Sequence, residues 1–282
     1  MMAQDRTYPP APAPLPAPVT DNHSHIEPQQ HFPAAPLTLD QQVAAAAAVG
    51  VSRIVQCGCD LEAARWTAKV AVKAPAVVGA IAIHPNDAAR LAKTGGYAAA
   101  LAELAELAAG EPRIRAIGET GLDYFRTGPA GRPAQLAAFG DHIALAKELD
   151  LALQIHDRDA HADVIAALDR DGAPERTVFH CFSGDREMAA LAASRGWYCS
   201  FGGVVTFKSA GELRAAVSEL PPELVLVETD APYLTPEPFR GRPNAPYLIP
   251  QTMRVLAEQM GFELERACRQ VQENTTRVYG DW

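Results

Sequence analysis

Short apolar runs rich in β-branched residues alternate along the chain with longer segments in which alanine, leucine and glutamate recur at helical spacing. Buried parallel strands read as nearly continuous apolar runs and helices repeat every 3.6 residues, so this alternation predicts repeated βα units. Eight runs qualify as strands: VTDNH, SRIVQC, VVGAIAI, IRAIG, LALQI, RTVFH, GWYCS and LVLVET. Between them lie helical segments such as TLDQQVAAAAAVG, with Gly50 as the glycine that ends it, and AQLAAFGDHIALAKEL. Eight alternations predict an α/β fold, a (β/α)8 TIM barrel forming a single domain over residues 20–282, after a flexible Pro/Ala-rich extension over residues 1–19. A doubly wound open sheet is the competing architecture, because periodicity does not say whether a sheet closes.

Polar residues of ligand type interrupt the pattern at one recurring place. His23 and His25 end the first strand, His84 follows the third, Glu119 the fourth, His156 the fifth, His180 the sixth and Asp230 the eighth. In an extended strand, side chains two residues apart share a face, so DNHSH presents two imidazoles together. Each residue alone has an ordinary use: a strand-end histidine bonds a loop carbonyl, and a strand-end carboxylate caps the next helix. In a barrel, however, the carboxyl ends of the strands share one face, where active sites are built. His31, His142 and His161 fall in a loop or within helical patterns and receive no site role.

These histidines, with the two carboxylates, form a mixed nitrogen and oxygen set that suits two divalent metal ions, Mg2+, Mn2+ or Zn2+, with Glu119 able to bridge them. Related barrels bridge their ions with a modified lysine on the fourth strand. Here the lysines are Lys69, Lys73, Lys93, Lys147 and Lys208, and the fourth strand delivers Glu119 instead.

Composition narrows the picture further. With 282 residues, 48% hydrophobic and 21% charged, the chain reads as a globular protein with a sizeable core. No run approaches the roughly 18 apolar residues of a membrane span, and the N-terminal stretch, with Asp5 and Arg6 followed by prolines, lacks the apolar core of a secretory signal. Five cysteines without a CxxC pair point to reduced thiols and a cytoplasmic protein, with Cys57 and Cys59 as small core residues. A net charge of -9 argues against a broad basic surface for nucleic acid, so a phosphate-bearing substrate must meet local cations.

DNHSH, AIHPNDA, IGETGLDYF, IHDRDA, HCFSG, GGVVTFK, ETDAPYLTP and NTTRVYG follow one another in the order found in the TatD family of metal-dependent deoxyribonucleases, which the chain resembles from about residue 20 to about residue 280. The resemblance implies that His23, His25, Glu119, His156, His180 and Asp230 are the metal ligands and that DNA, bound transiently, is the substrate, cut possibly from 3′ ends. The departures are Asn22 in place of a small hydroxyl residue, Asp157 in place of a frequent serine, the N-terminal extension, and a longer loop IEPQQHFPAAPLT. They bear on substrate preference more than on metal binding.

Phosphodiester hydrolysis needs an activated water and neutralisation of charge growing on the phosphoryl oxygens, which paired ions supply. Asp230 is the expected proton acceptor, acting with Glu119, and His84 is expected to contact the scissile phosphate. Arg158 and Lys208 are placed to hold flanking phosphates. Tyr124 is a candidate for stacking on a base, packing being the commoner use of such a ring. Arg240, Arg242 and Asn244 read as loop architecture near the mouth. Two other functions fit the same residues: hydrolysis of another ester or amide such as aminoacyl-tRNA, and a metal cluster that only staples the barrel.

Overall fold

The computed structural model describes residues 6–28 and 36–282. The strands are β1 (Val19–Ser24), β2 (Val51–Gly58), β3 (Val77–Ile81), β4 (Ile114–Asp123), β5 (Ala152–Arg158), β6 (Thr177–Phe179), β7 (Tyr198–Phe201) and β8 (Val225–Val227). They form one eight-stranded sheet in chain order, and a parallel bridge between Ser24 and Ala231 links the end of β8 to β1. This is the (β/α)8 barrel expected from the alternation, and the open doubly wound sheet is excluded. Helices follow the strands: α1 (Leu39–Ala48), α2 (Leu61–Lys73), α3 (Pro85–Thr94), α4 (Tyr97–Gly110), α5 (Arg132–Glu148), α6 (His161–Asp171), α7 (Arg186–Arg195), α8 (Gly211–Glu219), α9 (Ile249–Gln259) and α10 (Leu264–Tyr279).

Local sequence explains where these helices begin. Thr38 caps α1 in a reciprocal box with Gln41, and Asp60 and Asp185 cap α2 and α7 by accepting from Ala63 and Met188 backbone N–H groups. Glycines in the left-handed region end α3 at Gly95 and α7 at Gly196. No helix among the described residues is long and apolar enough to cross a membrane.

Backbone contacts divide the chain into two compact units, Met1–Gln56 with Gly184–Arg277, and Cys57–Ser183 with Val278–Trp282. In the first, Val19, Ile54, Phe201, Leu226, Met253 and Val271 are fully buried. In the second, Ile81, Ile117, Leu153, Phe139, Leu104 and Val164 are. Strands β4 and β5 pair from Ala116 with Ala152 to Asp123 with Arg158, with a register irregularity between Ile117 and Thr120, and Gly121 lies opposite His156.

The structure differs from expectation at the N-terminus. Residues 7–17, read from sequence as a flexible lead-in, are tied into the first unit. Arg242 donates to the Thr7 and Tyr8 carbonyls at 3.0 and 2.8 Å, Tyr247 Oη to the Pro9 carbonyl at 2.5 Å, and Arg254 to the Ala13 carbonyl at 3.0 Å. A proline-rich segment has few N–H donors to enter a sheet, but its carbonyls remain acceptors for such side chains. Of the loop IEPQQHFPAAPLT, residues 29–35, including His31, lie outside the described residues.

Candidate metal centre

The first unit gathers His23, His25 and Asp230. His23 and His25 leave the end of β1 on one face, and their Nε2 atoms stand 3.3 Å apart. Asp230 Oδ1 lies 3.5 Å from His25 Nε2 and 4.0 Å from His23 Nε2. Asp230 follows β8 in the left-handed region, φ 54°, a conformation that costs energy in a residue other than glycine and concentrates at functional sites. The surroundings hold it there. Its N–H donates to the His23 carbonyl at 3.0 Å, and the His25 N–H donates to the Ala231 carbonyl at 2.7 Å.

Asp21, the first residue of DNHSH, binds this turn rather than the site. It is fully buried, accepts from the Thr229 N–H at 2.9 Å and from Thr229 Oγ1 at 2.5 Å, and so fastens β1 to the chain entering Asp230. Burial pushes its carboxyl up to about 7, against the lowering effect of these hydrogen bonds. Asn22 has a related part, donating to the Val227 carbonyl at 2.8 Å and accepting from Thr275 Oγ1 at 3.0 Å. Asn244 donates to the Thr229 and Tyr233 carbonyls at 2.9 and 2.6 Å, and Arg240 lies over the Phe207 ring. Lys208 is exposed, just beyond the short turn Gly203–Thr206 that follows β7.

The second unit gathers His84, Glu119, His156 and His180 around one carboxylate. Glu119 Oε1 meets His156 Nδ1 in a very short contact, His180 Nε2 at 3.3 Å and His84 Nε2 at 3.6 Å. Burial works against charge on Glu119, yet the His180 and His156 rings beside it hold the carboxyl well below its usual range. Burial likewise opposes charge on His156, while Glu119 and Asp123 drive that ring upward. His84 caps α3, its Nδ1 accepting from the Asn86 N–H at 3.2 Å. With Nδ1 serving as acceptor, the neutral ring carries its proton on Nε2, the atom facing Glu119.

Reading the sequence missed two neighbours of this group. Asp123 Oδ2 lies 3.4 Å from His156 Nε2, and the same carboxylate accepts from Asn86 Nδ2 at 2.9 Å and the Arg126 N–H at 2.8 Å. Burial opposes its charge, but the hydrogen bonds from His156, Arg126 and Asn86 keep the carboxyl well below the ordinary range. Its signal was present in IGETGLDYF, four residues after Glu119, an offset that gives no face relationship until β4 is known to run to Asp123. Cys59, expected in the core, instead directs Sγ toward Glu119 Oε2 at 3.5 Å, whereas Cys57 is fully buried.

Beyond the donors, the expected substrate contacts are distributed unevenly. Arg158 ends β5 with its guanidinium 4.0 Å over the Phe125 ring. Tyr124 is engaged elsewhere: Oη donates to Asp163 at 2.5 Å and Arg132 lies 4.0 Å over its ring. Asp157 pairs with His161 at 2.7 Å at the start of α6.

Both groups have the chemistry of a divalent cation site. In each of the sets His23, His25, Asp230 and His84, Glu119, His156, three donor atoms lie within 4.8 Å of one another. Two Nε2 atoms face each other beside a carboxylate in the first set, and in the second imidazoles lie beside a carboxylate oxygen, so each offers the mixed nitrogen and oxygen donors that borderline metals take.

A (β/α)8 barrel whose strands end in such donors, taken with the comparisons below, defines a metal-dependent hydrolase. The sequence model of the family described as TatD related DNase matches residues 20–280. The chain is 42% identical over 266 residues to an uncharacterized metal-dependent hydrolase TatD of Mycobacterium tuberculosis, covering 93% of this chain and 98% of that one. It is 38% identical over 208 residues to the 3′-5′ ssDNA/RNA exonuclease TatD of Cronobacter sakazakii, covering 72% and 76%. Among solved structures, the TatD homolog YjjV of Escherichia coli K12 superposes with a TM-score of 0.82 at 25% identity, covering 94% and 98%. The chain belongs to the TatD family.

Proposed function

We propose that the protein is a nuclease that hydrolyses phosphodiester bonds of single-stranded DNA, removing nucleotides from the 3′ end. The observation that carries this reading is the pair of donor groups at strand ends, with His84 directing a ring N–H into one of them. The Cronobacter relative, named as an exonuclease of single strands, supports the choice of substrate.

His23, His25 and Asp230 would hold one divalent ion and Glu119, His156 and His180 a second, from among Mg2+, Mn2+ and Zn2+. When bound, such ions polarise phosphoryl oxygens and lower the pKa of water. The residues do the rest. Asp230 accepts the proton of the attacking water as the water oxygen bonds to phosphorus and the bond to the sugar oxygen breaks, that oxygen leaving with the electron pair and taking a proton from solvent. Glu119, held ionised between its histidines, keeps an anionic donor in place. His84 donates from Nε2 to a nonbridging phosphoryl oxygen, which its capping bond to Asn86 prepares it to do. Arg158 and Lys208 hold flanking phosphates, the first as a planar fork and the second as a point charge.

The test is incubation with an end-labelled single strand and, separately, with aminoacylated tRNA, in excess Mg2+ or Mn2+. Stepwise loss from the 3′ end is expected. An intact single strand together with rapid deacylation would transfer the chemistry from phosphorus to a carbonyl ester.

A further inference from the structure

We infer that Phe125 and Arg158 form a stacking subsite for a nucleobase of the single-stranded substrate, an inference that rests on the nuclease reading above. Phe125 is 63% exposed, and among the described large hydrophobic side chains only Val72, at 62%, is comparably so. Nothing in local secondary structure requires an aromatic there, since Phe125 lies in the turn just after β4. A phenyl ring held out in water costs hydrophobic free energy unless something covers it in use.

Its placement follows from the strand register. Asp123 and Arg158 are paired residues of β4 and β5, and the Tyr124 N–H donates to the Arg158 carbonyl at 2.9 Å. The same two strand ends carry the donor group: Asp123 contacts His156 Nε2 at 3.4 Å, and His156 sits two residues before Arg158. Phe125 is therefore two residues beyond a carboxylate that touches the donor group, on the same strand ends.

The ring is also braced for stacking. Arg158 covers one face at 4.0 Å from the centroid, which leaves the opposite face open to a planar partner. A guanidinium behind the ring and a base in front would form a three-layer stack, each layer sequence-tolerant because every base presents a π-face. Tyr124 is the poorer platform, because its ring is only half-exposed and its hydroxyl is held by Asp163. Arg126 follows Phe125 directly in the chain and Arg132 covers the neighbouring Tyr124 ring, so a chain of net charge -9 places cationic side chains at Arg126, Arg132 and Arg158 on and beside this turn. That combination of exposed aromatic and local cations fits a nucleotide better than an apolar protein partner, which would need a contiguous apolar patch.

The experiment compares single strands that carry every base with strands in which one nucleotide near the 3′ end is replaced by an abasic tetrahydrofuran, each position in turn. For the wild-type protein, KM should rise about five- to hundredfold at one abasic position, the range expected for loss of a single base-aromatic stack. Phe125→Leu, which keeps an apolar side chain at an exposed position but removes the π-face, should abolish that discrimination, and Phe125→Trp should retain it. Equal discrimination by wild type and Phe125→Leu would overturn the subsite, as would a wild type that cuts all abasic strands equally well. In both of those outcomes strand cleavage itself persists and the nuclease reading stands. A wild type that cuts no strand removes the nuclease reading and the subsite together.

Discussion

Asp230 joins a carboxylate beside two histidines to a left-handed backbone that its neighbours fasten from both sides. Asp230→Asn keeps the size and one oxygen of the side chain, so its melting temperature should change little. The amide cannot accept a proton from water, and turnover at saturating metal should fall about 10²–10⁴-fold. Near-normal turnover there would move the base to Glu119. At the same scale, His142 shows what a histidine does outside the site. It is fully buried in α5, its Nε2 accepts from the Ile83 N–H at 3.1 Å, and its Nδ1 meets the Ala138 carbonyl at 2.7 Å. Burial pushes its pKa below 6.5, against the raising effects of the Ala138 carbonyl and Asp141. Below pH 6.5 the unfolded chain binds a proton that the folded ring resists. The stability contributed by neutral His142 is thus complete above that pH and is lost as pH falls through it. Urea unfolding between pH 8 and 5 should show a steeper loss for the wild type than for His142→Gln, and equal slopes would contradict this. The helical spacing around His142 was enough to set it apart from the strand-end histidines, whereas its hold on Ile83, next to His84, joins residues 59 apart and leaves no local trace.

Strand β4 is the element on which the second donor group depends. Its apolar run stops at Gly118, because Glu119, Thr120 and Gly121 break the pattern, yet the strand continues to Asp123 by pairing with β5. Gly121 makes that continuation possible. Its φ is +137°, and a Cβ there would sit 2.1 Å from the His156 carbonyl oxygen. Gly121→Ala should cost about 2–3 kcal/mol or more in urea unfolding, through backbone strain and steric overlap together. An unchanged denaturation midpoint would show that β4 and β5 can separate there freely. The sequence pattern located every strand to within a few residues, but it could not give this extension, since pairing across strands is invisible in one strand's periodicity. The N-terminal segment fails to be legible for a similar reason: its backbone carbonyls, at Thr7, Tyr8, Pro9 and Ala13, find donors at Arg242, Tyr247 and Arg254, more than 230 residues away.

For the whole molecule, eight alternations pointed to a barrel without showing that the sheet closes, and the ligand-type residues at strand ends are legible as candidates because that fold repeats one geometry eight times. What periodicity lacks is side-chain direction, so the places of Asp123 and Cys59 beside Glu119 and His156, and the exposure of the Phe125 ring, are visible only in the folded chain. A barrel of this length has its own apolar core, and its fold should outlast removal of the ions. Ions held at these strand ends should be required for cleavage of nucleic acid. The most direct measurement is the rate of nucleotide release from a 3′-labelled single strand, before chelation, in excess chelator, and after Mg2+ or Mn2+ is restored, with circular dichroism recorded at each stage. Release should stop in chelator and return with metal while the helical signal holds throughout; release continuing at its original rate in chelator would show that cleavage needs no bound ion.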